Sequence, residues 1–263
     1  MMKDFDVTYV GLLDILGFKE LALRNNHQEL IKIYDLFDKV VKRGLTLFKE
    51  SFQNDEFKPR VDSIKINSLT ISDSLILWTE NTKFHHFINL VVTIRAILSE
   101  AMRCGIPLRG TIVVGPISVR EEKLNSNTEN IKLTCFGKSI VDAYTLSEKQ
   151  NWSGCIITKE CIERYQMSFE ELKLRPSKYT NDQIDKSLSL SSLENKKLLR
   201  KYLVPLKDGK LAEEYVINWV NELNPKMEEL SIRNSFVKYN KSVDDWRVEM
   251  KIRNTIAFAN DCT

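Results

Sequence analysis

Hydrophobic and polar positions along this chain switch repeatedly between a period of two and a period near 3.6, the signatures of strand and helix. Val7, Tyr9, Val10, Leu12 and Leu13 make an apolar run rich in β-branched and aromatic side chains, which predicts a buried strand ending at Asp14. From Glu29 to Phe48, apolar residues such as Leu30, Ile33, Tyr34, Phe37, Val41 and Leu45 recur at helical spacing. A polar loop around Asn54 to Pro59 follows, and Ser63 to Trp78 then reads as a hairpin bent at Ser72-Asp73-Ser74. Phe84 to Met102 predicts a second long helix, stopped by Cys104-Gly105. Leu108 to Val114 predicts a strand closed by Gly115-Pro116, and Arg120 to Asn130 a charged, mobile loop. A short strand over Ile131 to Cys135, a helix from Lys138 through Glu148 and a strand over Cys155 to Thr158 complete this part.

Beyond Thr158 the pattern is weaker. Glu160 to Leu174 predicts a helix, Lys178 to Ser192 a polar surface insertion, and Val243 to Phe258 a terminal helix. Tyr202 to Leu206 and Glu214 to Trp219 predict strands joined through Lys207-Asp208-Gly209-Lys210, a sequence with hairpin-turn chemistry. The alternation as a whole implies an α/β or α+β fold with helices packed on a sheet.

Composition narrows the function classes. The 263 residues suffice for one sizeable core with additions. With 39 basic and 36 acidic side chains the net charge is +3, so no strong field recruits nucleic acid or an anionic membrane. No apolar segment approaches the roughly 20 residues that span a bilayer, and MMKDFD lacks the apolar core of a secretion signal, which points to the cytoplasm. Cys104, Cys135, Cys155, Cys161 and Cys262 show no C-x-x-C spacing and read as reduced thiols. His27, His85 and His86 complete no ligand set and read as surface or partly buried residues.

The chemistry is concentrated in two carboxylates. Asp14 ends the first strand and is followed by Ile15, Leu16, Gly17 and Phe18, where the glycine permits a tight turn whose N–H groups could face an anion. Such a carboxylate suits a metal-bound phosphate substrate, and it equally suits a helix cap. Asp73 sits on the hairpin bend, where Asp and Ser are also ordinary turn residues.

Set together, these segments resemble the catalytic domain of the class III nucleotidyl cyclases. Asp14-Ile15-Leu16-Gly17-Phe18-Lys19 is similar to that family's first metal motif, D-I-x-G-F-T, and Thr70-Ile71-Ser72-Asp73 to its second, T-I-G-D. Arg109 through Gly115 keeps an R-x-x-x-x-x-G strand, and Phe136-Gly137 through Leu146 the glycine and helix that follow. The wording LLDILGFK, SDS, PLRG and AY-x-L is closest to the pyrimidine cyclases of bacterial anti-phage (Pycsar) systems. The resemblance implies a class III cyclase-like α+β fold, a ferredoxin-like βαββαβ palm with C-terminal additions. It places a catalytic core over residues 1–160 and an extension completing the same domain over 161–263. It further implies a homodimer with sites between subunits, and two Mg²⁺ or Mn²⁺ ions per site held by Asp14, Asp73 and the Ile15 carbonyl. Leu16, Gly17 and Phe18 would cradle the substrate phosphates. The substrate would be a pyrimidine nucleoside triphosphate, CTP or UTP, and the cyclic product an anti-phage messenger read by a separate effector.

Departures from the family pattern matter equally. The base-reading positions hold Leu69 and Thr134, which match neither adenylate nor guanylate cyclases; Thr134, Asn67 and Lys65 are the candidates to meet the base, and strand alternation equally allows Lys65 and Asn67 to point away. An apolar Leu69 would leave a purine's exocyclic group unpaired. The family's transition-state Asn and Arg are replaced by Val141 and Thr145. That leaves Arg109, then Lys138, to supply a cation, although Arg109 could instead pair with a helix carboxylate. A cyclase-fold binding protein without turnover is the alternative.

Overall fold

The computed structural model describes residues 2–51, 65–123, 131–175, 180–223 and 225–262. Strand β1 (Met2–Ile15) leads through the short helix α1 (Phe18–Arg24) into the long α2 (His27–Ser51). The hairpin β2 (Asn67–Ile71) and β3 (Ser74–Trp78) precedes α3 (Phe84–Cys104) and β4 (Leu108–Lys123). Next come β5 (Ile131–Phe136), α4 (Lys138–Lys149), β6 (Gly154–Ile157) and α5 (Lys159–Lys173). The rest of the chain adds α6 (Asn181–Leu188), α7 (Leu190–Asn195), the hairpin β7 (Leu199–Pro205) and β8 (Leu211–Ile217), α8 (Glu229–Val237) and α9 (Trp246–Asp261).

The strands form one mixed sheet in the order β2-β3-β1-β4-β6-β8-β7, with β5 paired to β4. Its first four strands are antiparallel neighbours, in the arrangement of a βαββαβ unit; β6 is the parallel addition beside β4. The fold is therefore α+β, a mixed sheet packed by helices.

Alternation along each strand builds two unequal cores. On one face, Tyr9 and Leu13 of β1 and Leu75 and Leu77 of β3 join Phe37 of α2 and Phe87 and Leu90 of α3. The same cluster takes in Tyr165 of α5, Ile184 of α6, Leu193 of α7, and Ile252 and Phe258 of α9, so these later helices pack into it as well. On the other face a smaller cluster of Val10, Leu12, Ile76, Trp78, Val113, Ile117 and Ala143 is covered through α4, by Ile140, Ala143 and Leu146.

Several sequence expectations are corrected. Gly115-Pro116 does not close β4, which runs on to Lys123. The register of β1 against β4 shifts between Phe5 and Thr8, opposite this dipeptide, so the missing proline donor falls at an irregularity where the ladder tolerates it. Arg120 to Lys123 consequently belong to a strand rather than a loop; 124–130, like the polar loop at 54–59 and the first residues of the expected hairpin, lie outside the described residues. The segment read as a surface insertion folds into α6 and α7, burying Ile184, Leu188 and Leu193. Thr180 and Gln183 start it with a reciprocal capping box. His86 is buried, not at the surface, and burial lowers its pKa to about 4. The five cysteines are all free thiols.

Candidate functional site

Asp14 is the penultimate residue of β1 and shares the parity of Val10 and Leu12, so it points to the face that carries the smaller cluster. It stands opposite Ser74 of β3 on one side and Arg109 of β4 on the other. Asp73 lies in the two-residue turn between β2 and β3, where Ser72 takes a left-handed conformation, φ 54°. The Ile15 N–H donates to the Asp73 carbonyl at 3.0 Å, fastening that turn to the end of β1. The Tyr34 hydroxyl on α2 donates to the Ser72 carbonyl at 2.8 Å and braces it from outside.

The two carboxyl groups thus meet at one end of the sheet, and their contact shows in the acidity of Asp14. Burial raises its pKa from 3.8 to about 7; Arg109 opposes the rise, and Asp73 and Glu148 add to it. Two carboxylates forced together in a half-dry site hold a proton that a cation would displace. The donor set is oxygen only, which suits Mg²⁺ or Mn²⁺ rather than zinc. Among the described residues no group of three or more His, Cys, Asp or Glu side chains is placed to hold a metal, so the aspartates would need further oxygen ligands.

Of the three N–H groups expected to cradle phosphate, that of Leu16 is taken: it donates to the Pro107 carbonyl at 3.0 Å. Gly17 has φ 77° and turns the chain into α1, as the sequence led us to expect of a glycine there. Phe18 is half-buried, its ring edge-on to Tyr34 at 6.2 Å.

Arg109 is 3 % exposed and already engaged. Its Nη2 donates to Asp14 at 3.2 Å and also to Glu148 of α4, while Nη1 donates to the Gln150 carbonyl at 3.3 Å. The expectation of a cation free to meet phosphate is therefore corrected: Arg109 pairs with a helix carboxylate and fixes the Asp14 side chain. Lys138 is not at this cluster either. It pairs with Asp142 at 2.6 Å and lines a cavity of about 450 Å³ with Val113, Thr145 and Lys149. Val113 lies four residues along β4 from Arg109, about 13 Å at strand rise.

Asn67 and Leu69 share a face with Asp14. Leu69 stands opposite Ile76 and packs on the smaller cluster, and Asn67 stands opposite Trp78. Thr134 does not: Cys135 packs on that cluster, so its neighbour Thr134, opposite Arg120, projects to the other side of the sheet.

The site also holds residues that sequence reasoning missed. Glu148 accepts from Lys207 in the β7–β8 turn at 3.0 Å as well as from Arg109, and the bonds to these two cations and their charges outweigh burial and keep its carboxyl below the usual range. Lys251 of α9 lies close enough for Arg109 and Lys207 to add to the burial that lowers its pKa. Gln150 donates to the Gly110 carbonyl at 2.8 Å and accepts from the Trp152 indole at 2.9 Å. No local pattern marks these residues, because their neighbours are distant in sequence.

No protein-family model matches the chain, and no curated protein does. Several solved structures align with most of the chain. The catalytic core of a rhodopsin-guanylyl cyclase with converted specificity, in complex with ATPαS, is 15% identical, with 82% of this chain and 98% of that one covered and a TM-score of 0.45. The adenylyl cyclase CyaB from P. aeruginosa is 11% identical, covering 82% and 95%, TM-score 0.47. The guanylate cyclase domain of RhGC from Catenaria anguillulae, in complex with GTP, is 15% identical, covering 82% and 97%, TM-score 0.45. At such identities and TM-scores the likeness carries nothing about substrate.

Proposed function

We propose that this chain is a nucleotidyl cyclase of the class III kind that converts CTP or UTP to the 3′,5′-cyclic monophosphate and pyrophosphate. The observation that carries the reading is the meeting of Asp14 and Asp73, from a strand end and a hairpin turn, beside the left-handed Gly17 turn. In the reaction the substrate's 3′-oxygen forms a bond to the α-phosphorus, the bond to the bridging oxygen breaks, and the electron pair leaves with pyrophosphate. Asp14, Asp73 and the Ile15 carbonyl would hold two Mg²⁺ or Mn²⁺ ions, which when bound acidify the hydroxyl and neutralise the departing pyrophosphate. Asp14 must lose its proton before it can serve as a ligand. Arg109, clamped between Asp14, Glu148 and the Gln150 carbonyl, holds that carboxylate in place.

Pyrimidine preference rests on Leu69, an apolar side chain on the Asp14 face, with Asn67 beside it as the polar contact to the base. A homodimer is supported by apolar surface on α4, where Val141 is 62% exposed and Tyr144 51%. The cyclic product would act as an anti-phage messenger through a separate effector. One observation favours binding without turnover, since neither Val141 nor Thr145 offers an amide or guanidinium to a developing phosphorane.

The deciding experiment incubates the purified protein with each of the four ribonucleoside triphosphates and Mn²⁺ and separates the products. Cyclic CMP or UMP is expected, absent in Asp73→Asn. A purine product would overturn the base assignment, and no cyclic product from any of the four would overturn the enzyme.

A further inference from the structure

The third proposed metal ligand, the Ile15 carbonyl, is aimed by the backbone alone. It shares a planar peptide group with the Leu16 N–H, so a bond that pins the N–H sets the direction of the carbonyl. That bond runs to the Pro107 carbonyl at 3.0 Å, in the connection between α3 and β4. Gly17 then turns the chain into α1, whose seven residues bury one side chain, Leu21. So short a helix is marginal without packing, and Leu23 is 72% exposed, so little within α1 keeps the turn in place.

The link between α8 and α9 supplies the anchorage. Lys241 is 6% exposed, and its ammonium donates to the Gly105 carbonyl at 3.0 Å, two residues before Pro107, and to the Ser235 carbonyl at 3.2 Å. Its stem packs on the turn after Asp14, where a Cβ on Gly17 would stand 3.2 Å from Cδ. At the other end of α1, Asn25 donates to the Leu21 and Tyr239 carbonyls, each at 2.8 Å, and accepts from the Asn240 side chain at 3.0 Å. The Tyr239 hydroxyl ties the same link to the Cys104 carbonyl at 2.7 Å. Tyr239 and Asn240 are both left-handed, φ 63° and 61°, a conformation that tyrosine takes only where its surroundings impose it. Helix ends are ordinarily satisfied by water or a cap, so a buried ammonium that spans two of them and packs on a third element does more than fill their bonds.

We propose that Lys241 is a positioning residue for the metal site: through Gly105 and Gly17 it fixes the turn after Asp14 and hence the direction of the Ile15 carbonyl, while Asn25 holds the far end of α1. That this carbonyl meets metal rests on the cyclase reading; how the turn is held does not.

The test titrates Mn²⁺ alone into the full chain, following the free ion by electron paramagnetic resonance, and measures amide hydrogen exchange in EDTA by NMR. Lys241→Met should weaken Mn²⁺ about tenfold and speed exchange at Leu16 about tenfold, with the number of sites per chain and the central amides of α3 unchanged. Asn25→Ala, at a half-buried position and so the safer variant for folding, should weaken Mn²⁺ about threefold and speed exchange at Leu21. A merely structural role would lower the number of sites at unchanged affinity and speed exchange throughout α3 and α8. That result, or unchanged exchange at both amides, would overturn the proposal. Wild-type protein that binds Mn²⁺ but yields no cyclic product would overturn turnover and leave the role of Lys241 standing, whereas wild-type protein that binds no Mn²⁺ would overturn both.

Discussion

Replacing Asp14 by Asn is expected to stabilise the metal-free protein at alkaline pH while abolishing its chemistry. The folded carboxyl titrates at about 7 against 3.8 for a free one. Between those values the native state holds a proton that the unfolded state lacks, so stability falls as pH rises through the window, and the full cost is present above it. At 1.36 kcal/mol per unit, the shift of roughly three units sets a ceiling of about 4 kcal/mol. The side chain keeps 13% exposure, and relaxation around it reduces the effect, so we expect about 1 to 3 kcal/mol. Asn keeps the shape and removes the charge, while Arg109 retains Glu148 and the Gln150 carbonyl. Urea denaturation in EDTA at about pH 4, 6 and 8 measures the gap, which should be near zero at the first and largest at the last. Adding Mn²⁺ should raise the wild-type unfolding free energy by about 2.7 kcal/mol at a hundredfold excess over its dissociation constant, and leave the variant's unmoved. A variant less stable than wild type at the highest pH, or a gap independent of pH, would refute the account of this carboxylate.

Two further substitutions separate positioning from stability. Arg109→Met leaves Asp14 and Glu148 without their shared cation and should lower stability by about 1 to 3 kcal/mol at neutral pH, read from the same denaturation curves, because Glu148 keeps Lys207 and Asp14 can hold its proton. Adding Asp14→Asn to it should recover part of that loss. Lys241 titrates at about 7 in the fold against 10.5 when free, so the unfolded state binds the extra proton between those values and wild-type stability should climb with pH across them. Lys241→Met should flatten that climb; an unchanged slope would mean that another group causes it.

How much of this site was legible in the sequence depended on whether its parts are local. The apolar run ending in Asp14, the glycine that must take φ 77°, and Asp73 on a hairpin bend are all decided within a few residues, and the structure has them where the pattern put them. Thr134 fails for a reason local pattern cannot supply. Which face it takes depends on the register of β5 against β4, where Val119 pairs with Cys135, and one residue's slip would reverse it. Arg109 was legible as a charge in a strand, but its partner lies 39 residues on, so the pairing with Glu148 needed the fold. Thr180 and Gln183 are a different case: the capping box is local and present in the sequence, but Ser, Asn and Lys dominate the segment and mask the helix it starts.

Residues after 160 carry no motif, yet the site is not finished without them. Glu148, which holds Arg109 on one oxygen, is held on the other by Lys207 from the β7–β8 turn. The Leu206 backbone bridges to Gln150, whose side chain in turn supports β4 at Gly110. Trp152, fully buried, is packed between Tyr202 at 5.5 Å and Phe258 at 4.7 Å, ring centroid to centroid. Cutting the chain at 160 would uncover that indole, leave Glu148 with one partner, and loosen the clamp that orients Asp14. The packing that fixes Asp14 thus depends on β7, β8 and α9, which carry none of the motifs.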